Sequence, residues 1–152
     1  MMTIFHSMNN TASALTAQRL RMDVISSNMA NVDTTRGTYK NGEWVPYKRK
    51  SVVLQSKENG FSSFLNTAMG KGTAVGNGVK VTEIVEDEET PFELVYDPTH
   101  ADANEEGYVA MPNVDPLREM VDLMSATRSY EANVTVFNAS KSMMMKALEI
   151  GK

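Results

Sequence analysis

The chain of 152 residues has no cysteine, two histidines and one tryptophan. The first absence excludes disulfides, thiolate nucleophiles and cysteine-ligated metal sites. So few histidines leave little for a Ser-His-Asp arrangement, and no nucleophile elbow accompanies them. Long apolar runs are missing too, with no stretch near the roughly eighteen residues of a membrane span. The first residues hold neither a basic segment nor an unbroken apolar one, so a cleaved secretion signal is not expected. Basic residues number 15 against 19 acidic, a formal charge of −4, whereas a nucleic-acid binder normally concentrates positive charge. Glycine and proline are absent from residues 1–36 and again from 117–150. The two ends are therefore free of helix breakers, and the turn formers crowd between them.

What fills the ends is a repeat. Met120, Leu123, Thr127, Tyr130, Val134, Phe137, Lys141, Met144 and Leu148 alternate spacings of three and four, the seven-residue pattern of a helix packed lengthwise on another. Asp115 can cap the start, Pro116 suits the first helical position, and Gly151 suits the stop. Such a helix is about 50 Å long. The N-terminal segment repeats the pattern through Met1, Ile4, Met8, Thr11, Leu15, Gln18, Met22, Ile25, Met29 and Val32, and Asn31, Asp33 and Gly37 write its end. The helix is predicted over about residues 4–31. Two such helices most economically pair antiparallel. The expected fold is mainly α with a small β-rich insertion: residues 1–35 and 114–152 form a helical core as an antiparallel coiled-coil hairpin, and 36–113 an outer β module.

The apolar surface exceeds one seam. Leu117, Val121, Met124, Val136, Met143, Met145 and Ile150 lie off the stripe, and Asn28, Asn31, Asn133 and Asn138 lower helix propensity. These features predict helices that are marginal alone and ordered by assembly. The predicted assembly interface comprises Met8, Leu15, Met22, Ile25, Asn28, Met29 and Asn31 on the first helix. On the second it comprises Met120, Leu123, Tyr130, Asn133, Val134, Phe137, Met144 and Leu148. Twelve methionines, mainly on these helices, suit imperfectly matched surfaces.

In the middle, Asn41-Gly42 signals a hairpin, Val45 to Gln55 reads as a strand, and Phe61 to Met69 as a short helix or apolar turn. A loop with Gly70, Gly72, Gly76 and Gly78 leads to alternation in Val79–Val85 and Phe92–Tyr96, and Gly107–Met111 is a last short strand. Charge is polarised: residues 36–57 hold six basic groups and one acid, residues 58–106 two basic groups and eleven acids. Complementary neighbours could use that asymmetry, although a solvated surface is the plainer expectation.

Candidate chemistry is thin. Gly70-Lys71-Gly72-Thr73 lacks the spacing and following helix of a phosphate loop. Asp102, Asn104 and Glu106 match half of a calcium loop, but Asn113 stands where a bidentate Glu is needed. Asp97, His100 and Asp102 could converge as a weak metal site, with a purely loop-building role the expectation. No cofactor, no small-molecule substrate and no nucleic acid is expected.

Ala17-Gln18-Arg19-Leu20-Arg21-Met22, continuing through Ser26-Ser27-Asn28-Met29-Ala30-Asn31 to Thr35, resembles the N-terminal signature of flagellar axial proteins, the rod and hook subunits. Pro112-Asn113-Val114-Asp115-Pro116-Leu117, with Tyr130-Glu131-Ala132-Asn133 and Lys146-Ala147-Leu148-Glu149-Ile150-Gly151, is similar to basal-body proteins of the proximal rod. Tyr47-Lys48-Arg49-Lys50 and Tyr96-Asp97-Pro98-Thr99-His100 agree with that subfamily. The resemblance implies a non-enzymatic rod subunit in the periplasm or cell wall that carries torque. It implies export through the flagellar type III apparatus without a cleaved signal. The implied partners are other rod proteins, copies of the chain, and the export-gate or MS-ring adaptor at the rod base. A non-flagellar coiled-coil adaptor is the alternative.

Overall fold

The computed structural model describes residues 2–40, 42–57, 68–69 and 78–150. Helices form at both ends, as the absence of breakers dictates: α1 spans Met2–Ala30 and α2 spans Pro116–Ile150. Asp115 caps α2 through its Oδ1, which accepts from the N–H groups of Leu117 at 2.9 Å and Arg118 at 3.4 Å. At the end of α1, Asn31 N–H reaches the Asn28 carbonyl at 3.1 Å, and the Asn31 side-chain oxygen accepts from the Thr34 hydroxyl. The helix ends there because Asn31 offers the backbone a competing set of bonds.

Between the helices lie three two-stranded ribbons. The hairpin pairs β1 (Thr38–Lys40) with β2 (Glu43–Val45), Tyr39 opposite Trp44 and Gly42 at φ +94°. The sequence pattern extends the next strand back to Val45, whereas β3 begins at Lys50 and runs to Ser56. Pro46 has no N–H to donate, and Tyr47 instead donates to the Thr34 carbonyl at 3.1 Å, so the chain turns before it can join a ladder. β3 pairs with β4 (Val79–Glu86), and β5 (Glu93–Tyr96) pairs antiparallel with β6 (Tyr108–Met111). Asn41, Phe61 to Thr67, the glycines at 70, 72 and 76, and Gly151 lie outside the described residues.

The chain divides into two compact units. Residues 21–52 and 84–125 make one, whose covered side chains among the described residues include Ile25, Asn28, Pro46, Val109, Pro112, Val114 and Glu119. Residues 1–20, 53–83 and 126–152 make the other. Its covered side chains, among the described residues, are small: Thr11, Ala17, Ala126 and Ser140. There Ser13 Oγ accepts from the Val79 N–H at 3.0 Å and donates to the Asn10 carbonyl at 2.7 Å.

Burial along α2 corrects the predicted stripe. Leu123, Thr127, Tyr130, Val134, Phe137 and Met144 keep their place as half-covered positions, but the buried ones are Glu119, Ala126 and Ser140. The expected companions Met120 and Leu148 are 50 % and 63 % exposed, and Lys141 is exposed. Met120 and Lys141 each stand one residue on from a covered position, a rotation of about 100°. Hydrophobicity cannot mark a face whose members are a bonded carboxylate and small residues, and small residues are what allow another element to approach closely.

Candidate functional site

The unit built from residues 21–52 and 84–125 is organised around Asn28 and Glu119, both 0 % exposed. Asn28 sits in the last turn of α1, where its amide reaches the first residues of β3. Its Nδ2 donates to the Lys50 carbonyl at 2.8 Å and to Glu119 Oε2 at 3.0 Å. Its Oδ1 accepts from the Lys50 N–H and from the Tyr47 hydroxyl, each at 3.0 Å. All four hydrogen-bonding positions of this amide are therefore filled. An Asn in a helix interior normally weakens it, and here the tertiary bonds reverse that cost.

Glu119 lies in the first turn of α2, a favourable end of the dipole for a carboxylate. Arg49 Nε donates to its Oε1 at 2.6 Å, and Arg49 Nη2 also reaches Asp122 Oδ2 at 3.4 Å. Asp122 Oδ1 meets Arg21 Nη2 at 3.4 Å, which returns the chain of charges to α1. Asn113 completes the joint: its Oδ1 accepts from the Arg49 N–H at 2.8 Å, while its Nδ2 donates to the carbonyls of Asp87 and Thr90. Removing one member of such a buried pair leaves the other charge uncompensated, typically at about 3–5 kcal/mol. The joint ties the end of α1, the start of β3, the link before β5 and the start of α2 into one piece.

The polarised middle is partly closed within the chain. Lys48 pairs with Glu88 at 3.2 Å, Lys50 with Glu86 at 3.8 Å, and Arg36 with Asp102. The remaining loop candidates build loops. Asp97 caps Thr99, whose hydroxyl bond holds the carboxyl below its ordinary range. His100 Nδ1 accepts from the Asp102 N–H at 3.1 Å. Asp102 takes Arg36 Nε and the Thr35 hydroxyl, each at 2.8 Å, and these bonds, the arginine's first, lower its pKa. Asn104 Oδ1 accepts from the N–H groups of Glu106 and Tyr108. Among the described residues no cluster of three or more such side chains is arranged to hold a metal.

The predicted interface residues fall into three sets. Ile25 and Asn28 are buried within the subunit. Met8, Leu15, Met22, Met29, Asn31, Leu123, Tyr130, Asn133, Val134, Phe137 and Met144 are half-covered, and Met120 and Leu148 are exposed. Sequence pattern missed Glu119 and Arg49, because nothing local distinguishes a charge that will be covered from one that stays in water. Large apolar groups are meanwhile left open, including Leu117 at 73 %, Val121 at 61 %, Met124 at 56 % and Met143 at 60 %. Leu117, Val121 and Met124 adjoin one another along one row of α2, the kind of exposed apolar surface that typically marks an interaction face. No described helix is long and apolar enough to cross a membrane.

Comparison with known proteins gives this architecture its class. Residues 8–37, which carry the Asn28 half of the joint, match the family model of the flagella basal body rod protein. Residues 105–150, which carry the Glu119 half, match that of the flagellar basal body rod FlgEFG protein C-terminal. Long terminal helices around a small β region are thus those of a structural subunit of the flagellar axis. The flagellar basal-body rod protein FlgC of Bacillus subtilis is 68 % identical over 151 residues, covering 99 % of this chain and 100 % of the relative. Those of Borreliella burgdorferi and Salmonella typhimurium are 44 % and 42 % identical, covering 98 % and 99 % of this chain and 98 % and 100 % of theirs. The chain belongs to the FlgC family of flagellar basal-body rod proteins, and it is a structural component of that rod, not an enzyme.

Proposed function

We propose that the chain builds the wall of the proximal rod with its terminal helices and transmits torque through them. Residues 1–35 and 114–152 act as the helical core, paired as an antiparallel hairpin, and 36–113 as an outer module. Antiparallel pairing is supported by the order of two contacts, since Asn28 meets Glu119 while Arg21, earlier on α1, meets Asp122, later on α2. The observation that carries the reading is the coexistence of a fully bonded internal joint with uncovered Leu117, Val121, Met124 and Met143 on the same helices. A solitary globule would bury the apolar groups and leave the charges in water.

Neighbours are copies of the chain, other rod proteins and the adaptor at the rod base, reached after unfolded export through the type III apparatus. Load is shared over repeated seams in which Met8, Leu15, Met22, Met29, Tyr130, Val134, Phe137, Met144 and Leu148 take part. Ile25, Asn28 and Asn31 serve assembly indirectly by fixing the subunit's shape. Tyr130→Ala and Phe137→Ala should each abolish swimming and deplete the chain from purified basal bodies. Wild-type motility in both, or a labelled chain missing from imaged basal bodies of swimming cells, would refute the proposal.

A further inference from the structure

The outer faces of the two helices carry matching patterns. On α2, Leu117, Val121, Met124, Arg128 and Glu131 follow one another at spacings of four and three, and all are exposed. They point away from Glu119 and Ala126, which are fully covered. On α1, Thr16, Arg19, Asp23, Ser27 and Ala30 form the corresponding exposed row, turned away from Ile25 and Asn28. The α2 row is bulky and apolar at its N-terminal end, and the α1 row ends at its C-terminal side in the small residues Ser27 and Ala30. Arg19, Asp23, Arg128 and Glu131 have no ion-pair partner among the described residues.

Charge order selects one way of joining these rows. Read from N- to C-terminus, each has its arginine before its acid, so parallel helices would set like charges together. Antiparallel helices set Arg128 against Asp23 and Glu131 against Arg19, with separations of about 4.5 and 6 Å along the two axes. Four residues further, Met124 then falls opposite Ser27. Seven residues from the same arginine, Val121 falls opposite Ala30, and Leu117 lies just past the end of α1. Large side chains meet small ones, the condition for close helix packing.

We propose that the outer face of α2 in one copy docks antiparallel on the outer face of α1 in a second copy of this chain. The proposal rests on the reading of the chain as an assembling rod subunit. Two different surfaces meet, so the contact is heterologous and adds subunits in a row instead of closing a pair. Five residues on each side are far fewer than the roughly 20–30 per partner of a standard stable interface. A dilute chain therefore stays monomeric, and the contact forms where several act together.

The test uses flagellated cells co-expressing two versions of the chain, one with Val121→Cys and one with Ala30→Cys; the absence of native cysteine keeps the background clean. After mild oxidation, isolated basal bodies should yield a disulfide-linked dimer that requires both versions. In a second arm, Arg128→Asp with Glu131→Arg should lower incorporation into basal bodies at least tenfold, and adding Asp23→Arg with Arg19→Asp should restore it. Both cysteine versions present in basal bodies without the dimer, or a fourfold variant that stays as depleted as the double variant, overturns the proposal while leaving the rod reading intact. A chain missing from basal bodies of swimming cells overturns both.

Discussion

Asn28→Asp tests the central joint with the smallest possible change of shape. The substitution replaces a donor by a second acceptor at an atom that lies 2.8 Å from the Lys50 carbonyl and 3.0 Å from Glu119 Oε2. Two attractive contacts become repulsive, one of them between carboxylates, whereas the bonds from Lys50 N–H and the Tyr47 hydroxyl survive. Asn28→Ala instead deletes all four bonds. Taking about 1 kcal/mol net for each, and somewhat more for the one to charged Glu119, its loss is about 4 kcal/mol. In a chain of this size that lowers the melting temperature by about 8–16 °C. Asn28→Asp should cost at least as much near neutral pH. Adding Glu119→Gln should recover part of it, because the Gln amide can donate to the introduced carboxylate while its oxygen still accepts from Arg49. Urea denaturation followed by circular dichroism gives these values. An Asn28→Ala variant within about 1 kcal/mol of wild type, or an Asn28→Asp/Glu119→Gln pair no better than Asn28→Asp, would refute the account of the joint.

Two further outcomes follow from other parts of the fold. A Cβ on Gly37 would lie 2.7 Å from both the N and the Cα of Tyr47, so Gly37→Ala must displace backbone. It should destabilise by about 1–3 kcal/mol, and an unchanged urea midpoint would count against the close approach. Asp102 has its pKa lowered, first by Arg36 and then by Thr35. Its contribution is therefore present above the ordinary carboxylate value of 3.8 and is lost as pH falls through the lower native value. The melting temperatures of wild type and Asp102→Asn should differ most near neutral pH and converge only once the pH falls below 3.8; a gap that stays constant with pH would show that the ion pair contributes nothing.

Much of the architecture was legible in the residues because it is local. The absence of glycine and proline from both ends, Asp115 before Pro116, and the alternation in Val79–Val85 each act within a few residues, and α1, the capped start of α2 and β4 appear where those signals stand. The family signature was legible as well, since residues 17–35 and 112–151 carry it whether or not their contacts are known.

Only tertiary structure decided which side chains the helices cover. Glu119 and Asn28 are 91 positions apart, and Arg49 is 70 from Glu119. A polar group belongs inside only when partners from distant segments satisfy it, and no local pattern records that. The same reason explains the turned stripe on α2 and the pairing of Lys48 and Lys50 with Glu88 and Glu86. Helix formation is set by neighbours three and four residues away, whereas the choice of inner face is set by what the rest of the chain brings to meet it.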